Sequence, residues 1–312
     1  MSQAIISNVL GIFVVDQQAI IDKKLFNSHA EYEARQHYIA ELKKKHKQAS
    51  ETHDLRPFLH LFKAPEFHNA FHERNIELTK QALKQSVTKD QLIIQAANSV
   101  ADLDKIINQL AKRLREWYEL YNPETSKAIE DHEKFIEAII KKSKQELLQQ
   151  FSVKQEMGAA LEADDVHALM NLAHHTHELY RARQALEKYS EKLLKEIAPN
   201  LHAIAGTAIA AKLLMQAGSL ERLSILPAST IQILGAEKAM FRHLTTKHAR
   251  MPKYGILFQH PLIAKVPQQD RGKAARGLAD KLALAAKVDR FKGKPLAAEL
   301  IKDLEMRFGS WK

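Results

Sequence analysis

The chain has 312 residues, 45% of them hydrophobic and 7% aromatic, with ten Gly, nine Pro, no Cys and a net charge of +10. That length suggests two or three units, and the scarcity of Gly, Pro and aromatic residues points to a mainly helical protein. The lack of Cys excludes a disulfide framework, a thiolate nucleophile and a Cys-based zinc site; no stretch approaches the roughly 20 apolar residues of a membrane span, and MSQAIISNVLGIFVVDQQ is no cationic secretory leader, so a soluble, cytoplasmic chain is expected.

At the N-terminus, LGIFVVD (Leu10–Asp16) and AIIDKKLF (Ala19–Phe26) are rich in β-branched residues and flank Gln17 and Gln18. This pattern predicts a hairpin, although Gln-Gln is a poor primed turn and leaves room for a longer loop. A charged helix is expected over Ala30–Lys47. Phe58, Leu61, Phe62, Phe67 and Phe71 then form an aromatic cluster that reads as the core of a small α/β domain. From Leu92 to Glu124, Ile94, Ala97, Val100, Leu103, Ile106, Ile107, Leu110, Leu114 and Trp117 recur at helical spacing, which predicts one long amphipathic helix closed near Asn122-Pro123. Trp117, Tyr118 and Tyr121 at its end are expected in hinge packing.

Between Ser126 and Ile197 the pattern predicts two helices paired as an antiparallel coiled-coil hairpin. The second carries Leu169, Leu172, Thr176, Leu179, Arg183, Leu186, Ser190, Leu193 and Ile197 in alternating steps of three and four, and the first offers Ile129, His132, Ile136, Ile139, Ser143 and Leu147. Val153–Asp165, with Gly158 and an acidic helix start, suits the turn at the tip. Asn200 to Gly206 reads as a linker.

The basic excess lies beyond it. Residues 201–312 hold 19 Lys+Arg against 8 Asp+Glu, whereas residues 1–200 hold 28 against 29, so a polyanion is drawn to the last third. Within it, TIQILGAEKAMFRHL (Thr230–Leu244) starts as an apolar helix and turns abruptly into Glu237, Lys238, Met240, Phe241, Arg242 and His243. Cations hold phosphates and a flat ring covers a base face, so this pattern suits a nucleic-acid surface; a plain amphipathic helix with a core Phe is the competing reading.

The succession from Gly206 to Gly293, with GTAIAAKLLMQAGSLERLSILPAST, TIQILGAEKAMFRHL, MPKYGILFQHPLI and RGKAARGLADKLALAAKVDRF in this order, resembles the Nop domain of archaeal box C/D ribonucleoprotein scaffolds. The resemblance implies a small α/β N-terminal domain that docks the methyltransferase fibrillarin (1–121, with a connecting helix), a coiled-coil hairpin that forms a homodimer (122–200, through Leu169, Leu172, Leu179 and Leu186), and a helical Nop domain (201–312). It also implies that Gly235, Ala236, Glu237 and Lys238, the intact GAEK motif, meet a kink-turn RNA together with a ribosomal-type protein already bound to it. Ala239, Met240, Phe241 and Arg242 stand where the family usually has Ala-Leu-Phe-Arg, a motif that caps the duplex of guide and substrate RNA, and His243 completes the patch. Lys253, Gln259 and His260 resemble a second contact loop, with Tyr254, Ile256, Leu257 and Phe258 as its core. Arg271, Lys273 and Arg276 fall within about one and a half helical turns and suit a phosphate-contacting face, with a solvated helix start as the competing reading. S-adenosylmethionine would belong to fibrillarin, so no cofactor is expected here. The absence of a long Lys-rich tail favours an archaeal-type protein over a nucleolar one, and a splicing-type Nop protein without a methyltransferase partner is the alternative.

Other chemistry finds little support. His167, His174, His175 and His177 are the most tempting metal cluster, yet solvated or seam histidines explain them better. RGKAARG lacks the spaced glycine and the hydroxyl residue of a phosphate loop, and no catalytic combination stands out, so no enzymatic activity is expected.

Overall fold

The computed structural model describes residues 3–311 except 17, 27, 28, 64, 154 and 247. Its backbone contacts divide it into two compact units, Met1–Val87 and Thr88–Lys312.

The first unit is a four-stranded mixed sheet. Strands β1 (Ala4–Ser7), β2 (Gly11–Val15), β3 (Ile20–Leu25) and β4 (Ser50–Glu51) run in the order β3-β2-β1-β4, antiparallel except for the β1–β4 pair. The expected hairpin is β2–β3; Gln17, half of its proposed turn, lies outside the described residues. Every residue of β2 is buried, because the sheet is covered on both faces. Helices α1 (His29–Glu33) and α2 (Arg35–Lys45) replace the single helix expected there, and Ile39 and Leu42 join Ile12 and Val14 on one face. A 3-10 turn (Arg56–Phe62) and helix α3 (Pro65–Gln85) bring the expected aromatic cluster to the other: Phe13, Phe62 and Phe67 meet edge-on at centroid separations of 4.9 to 6.2 Å. Phe71 does not join them and is 45% exposed.

The second unit begins with two long helices, α4 (Lys89–Tyr121) and α8 (Ala163–Ile197), packed along each other. This is the long antiparallel hairpin, but its first arm is α4, the helix expected to connect back to the N-terminal domain. The expected first arm is broken into α5 (Pro123–Ala128), α6 (His132–Lys141) and α7 (Lys144–Gln150). The breaks have local causes. Asn122, Asp131 and Ser143 each accept a hydrogen bond from a backbone N–H three residues on, at 3.2, 2.9 and 3.4 Å, and so start a new helix each time. Arg115 of α4 locks the first break. Its guanidinium donates to the carbonyls of Ser126, Ile129 and Glu130 and lies 4.3 Å from the centre of the Phe135 ring.

The hairpin core consists of Ile107, Ala111, Leu114 and Tyr118 of α4, Leu169, Ala173 and Tyr180 of α8, and Phe135, Ile136, Ile139 and Leu147 between them. The seam residue Leu169 is thus consumed inside the chain and is fully buried; it is not held open for a second copy. Leu172, Leu179 and Leu186 are half-buried. Of the expected hinge aromatics, Tyr118 packs on Tyr121 and Phe135, and burial pushes its phenol up to about 12, whereas Trp117 is 36% exposed. At the tip, the loop containing Gly158 doubles back so that Ala159 N–H donates to Leu120 O at 2.8 Å; Lys154 of that loop lies outside the described residues.

Helices α9 (Pro199–Ala217), α10 (Leu220–Ile225), α11 (Ala228–Ile233), α12 (Glu237–Thr245), α13 (Pro261–Lys265), α14 (Arg271–Arg290) and α15 (Ala297–Phe308) complete the unit. Their core is the alanine- and leucine-rich inner face of α9 and α14, joined by Ile93 and Ala97 of α4 and Leu194 of α8. The expected linker 200–206 is helical, with a kink at Gly206. It is held by a buried network. Asp289 near the end of α14 accepts from the backbone N–H and the side-chain amide of Asn200 (3.1 and 2.7 Å) and from Leu201 N–H (2.8 Å), which caps α9 from outside its own sequence. The Asn200 side-chain oxygen in turn accepts from the N–H groups of Leu296 and Ala297 at the start of α15.

Candidate nucleic-acid interface

The interface is built outward from the end of α11. Leu234 O accepts from Ile256 N–H at 2.8 Å, Gln232 O from Gly255 N–H at 3.0 Å, and the Gln232 side chain donates to Lys253 O at 2.6 Å, so residues 253–256 lie against residues 232–234. Gly235 reverses the chain with φ 82, the left-handed region, and a Cβ at that position would come 2.6 Å from a side-chain carbon of Ile256. Only glycine fits this turn. The Glu237 carboxylate accepts from Gly235 N–H at 2.7 Å, a bond back across the turn, while Ala236 at the helix start offers no side-chain cap. Glu237 therefore closes the turn within the chain.

From this turn α12 runs with no buried residue. Its positions separate by helical periodicity. Lys238, Phe241, Arg242 and Thr245, spaced at three and four, share an exposed face, with Phe241 67% exposed; Ala239, Met240 and His243 lie half-buried on the other side. His243 Nδ1 donates to Ala249 O at 2.6 Å and so pins the loop that follows. Met240 and His243 therefore shape the helix's inner side and do not join the outward patch. Among the described residues, Lys238 and Arg242 have no ion-pair or hydrogen-bond partner for their side chains.

The remaining candidates divide. Lys253 is exposed and its stem lies against Gly272 at the start of α14, which brings it beside Arg271, Lys273 and Arg276. Arg271 donates to Val266 O at 3.2 Å, Lys273 pairs with Asp270 at 3.0 Å, and Arg276 is exposed without a partner among the described residues. Gln259 is exposed and accepts from Lys212, 47 positions earlier.

His260 is misplaced as an RNA contact: it is 1% exposed and structural. Its Nδ1 accepts from Leu262 N–H at 3.2 Å, capping α13, and its Nε2 donates to Ile204 O at 2.9 Å, which fixes the neutral tautomer. Burial holds its pKa below the usual 6.5, against the opposing bond to Ile204 O. The folded protein then takes up this proton at lower pH than the unfolded chain does, so its contribution to stability is complete above 6.5 and is lost as pH falls below that. Denaturant midpoints at pH 7.5 and pH 5 should fall on acidification, and His260→Gln should flatten part of that slope; His132 and His202, also lowered by burial, supply more of it. An unchanged slope in the variant would refute this assignment. Of the expected loop core, Leu257 is fully buried, but Phe258 is 47% exposed and stacks on Tyr254 at 5.1 Å.

His167, His174 and His175 are exposed on α8, and among the described residues no group of three or more His, Asp or Glu is placed to hold a metal. A cavity of about 590 Å³ lies away from the α12 face, between α4, α8 and α9, lined in part by Asp104, Glu187, Glu191, Thr207 and Lys212. No helix of the described residues is long and apolar enough to cross a membrane.

The Nop family, described as "snoRNA binding domain, fibrillarin", matches residues 99–309. An uncharacterized NOP5 family protein of Methanocaldococcus jannaschii is 41% identical over 259 residues, which cover 78% of this chain and 62% of the relative. Nucleolar protein 58 of Schizosaccharomyces pombe is 38% identical over 234 residues, 70% of this chain and 46% of the relative. A chain in the crystal structure of a fibrillarin/Nop5p complex covers 98% of each chain at 22% identity, with a TM-score of 0.47. The chain thus spans less than two thirds of the length of the curated relatives it matches.

Proposed function

We propose that this chain, which belongs to the Nop5/Nop56/Nop58 family of Nop-domain proteins, is the non-catalytic scaffold of a box C/D guide-RNA 2′-O-methylation particle. The observation that carries the reading is the outward face of α12: within the intact GAEK turn and the AMFR helix, Lys238, Phe241 and Arg242 point away from the body on a helix with no buried residue. Two unpaired cations flanking an exposed ring suit phosphates and a terminal base pair, and Lys253 and Arg276 extend the positive surface toward α14. The RNA would be a kink-turn already bound by a ribosomal-type protein.

In this reading the other parts deliver partners. The sheet unit presents fibrillarin, which supplies S-adenosylmethionine and the catalysis. The hairpin carries a homodimer through what the α4–α8 packing leaves accessible, the half-buried Leu172, Leu179 and Leu186 and the exposed Ile106, Leu120 and Tyr189. The family match begins at residue 99, leaving the sheet unit outside it, and this favours a second reading, a splicing-type or general Nop-domain RNA-binding protein with no methyltransferase.

The test is reconstitution of this chain with fibrillarin, the kink-turn protein and a guide RNA, followed by methyl transfer to a substrate RNA. Methylation should require the chain, and the chain alone should methylate nothing. Equal methylation when it is omitted would end the scaffold reading, and failure to bind fibrillarin at micromolar concentration would favour the second one.

A further inference from the structure

The far end of α14 carries a surface that the motifs do not include. Twenty residues at 1.5 Å each place it about 30 Å from Arg271. There Phe291 is 79% exposed, the most exposed of the large apolar side chains among the described residues. Lys287, Arg290, Lys292 and Lys294 surround it in sequence, all exposed. The one acid between them, Asp289, is buried in the bonds to Asn200 and Leu201. Among the described residues only Arg290 of these four has an ion pair, with the exposed Glu221 at 3.4 Å.

The turn is built rather than loose. Gly293 N–H donates to Val288 O at 2.8 Å and Lys292 N–H to Asp289 O at 3.2 Å, the paired bonds of a Schellman cap. The left-handed position of that cap, usually glycine, is Lys292, with φ 51. Glycine comes one residue later, so the backbone strain is spent on a residue that brings a cation. The Asn200–Asp289 network holds both ends of the turn: Asp289 sits just before it, and Asn200 binds the N–H groups of Leu296 and Ala297 just after. A large ring is therefore presented to solvent on a rigid cap among four cations.

We propose that this turn is a second RNA-contact surface that takes a single-stranded segment, with a base stacked on Phe291 and phosphates at Lys287, Lys292 and Lys294. Charge selects a polyanion, and the lone projecting ring selects one that offers flat faces; an acidic peptide meets the first condition and not the second. The surface is independent of the α12 face and goes beyond the box C/D assignment, needing only that the chain meets RNA.

The test uses the full chain and fluorescent decauridine RNA, with anisotropy read at 50, 100 and 200 mM KCl. The same measurements are made in a Lys238→Ala/Arg242→Ala background, so that RNA held at α12 is subtracted. Phe291→Ala should weaken binding about 10-fold in both backgrounds, as expected for loss of one stacked base. Lys292→Gly keeps and relaxes the turn while removing a cation. It should lower the salt slope by about 0.7 and leave the melting temperature equal or higher, an outcome that a structural role for the lysine does not produce. Unchanged decauridine affinity in Phe291→Ala would overturn the proposal, and so would tighter, Phe291-dependent binding of decaglutamate. Loss of kink-turn complex binding in the α12 variant bears on the scaffold reading alone.

Discussion

Asp289→Ala is expected to cost roughly 3 to 5 kcal/mol of folding stability, enough to leave a marginal protein largely unfolded at 37 °C. The reason is the company the carboxylate keeps. It is 7% exposed and accepts three hydrogen bonds, from both nitrogens of Asn200 and from Leu201 N–H. Alanine leaves three buried donors unpaired at the start of α9 and loosens Asn200, which also holds the start of α15. Burial raises the Asp289 pKa above the usual 3.8 against the pull of those donors. Asp289→Asn keeps the oxygen that accepts from both Asn200 nitrogens but turns an NH2 toward Leu201 N–H, and should lose about half as much. Urea denaturation of the two variants checks both numbers; a loss below about 1 kcal/mol in Asp289→Ala would mean that the network does not organise the C-terminal helices.

The second large effect concerns binding. Lys238→Ala/Arg242→Ala should lower affinity for a kink-turn RNA bound to its partner protein by about 10- to 100-fold at 0.15 M salt, and reduce the salt slope by about 2, one for each phosphate that is no longer neutralised. Both side chains are exposed and have no partner among the described residues, so the melting temperature should stay unchanged. Titration across a salt series distinguishes this from a folding defect. An unaltered slope would remove the α12 face from RNA recognition.

Much of this organisation was legible in the residues. The β2–β3 hairpin followed from two β-branched runs, and a helix expected over 92–124 is observed over 89–121, because apolar spacing of three and four over thirty residues has few other solutions. The mixed character of EKAMFRHL also survives: its apolar and cationic positions fall on a helix with no buried residue. Arm pairing in the hairpin departs from the expected one for a local reason. Helical phase is continuous through 126–147, but Asp131 and Ser143 carry cap signals that break it, and a seam pattern on α8 names no partner. Any apolar stripe of the right length would serve, and the adjacent α4 takes it.

What composition, local pattern and charge placement settle here is the helical class, the small sheet at the start and the basic last third. These depend on neighbours within a few residues, where backbone preference and periodicity operate. The roles of single side chains were settled at long range. His260, read as an RNA contact, is buried against Ile204, 56 positions away, and Asn200, read as linker, is bound to Asp289, 89 positions away. A polar residue is informative only once its burial is known, because in water it is free to meet a ligand and in the core it must satisfy a backbone. That choice is made by how distant helices pack, and no local pattern contains it.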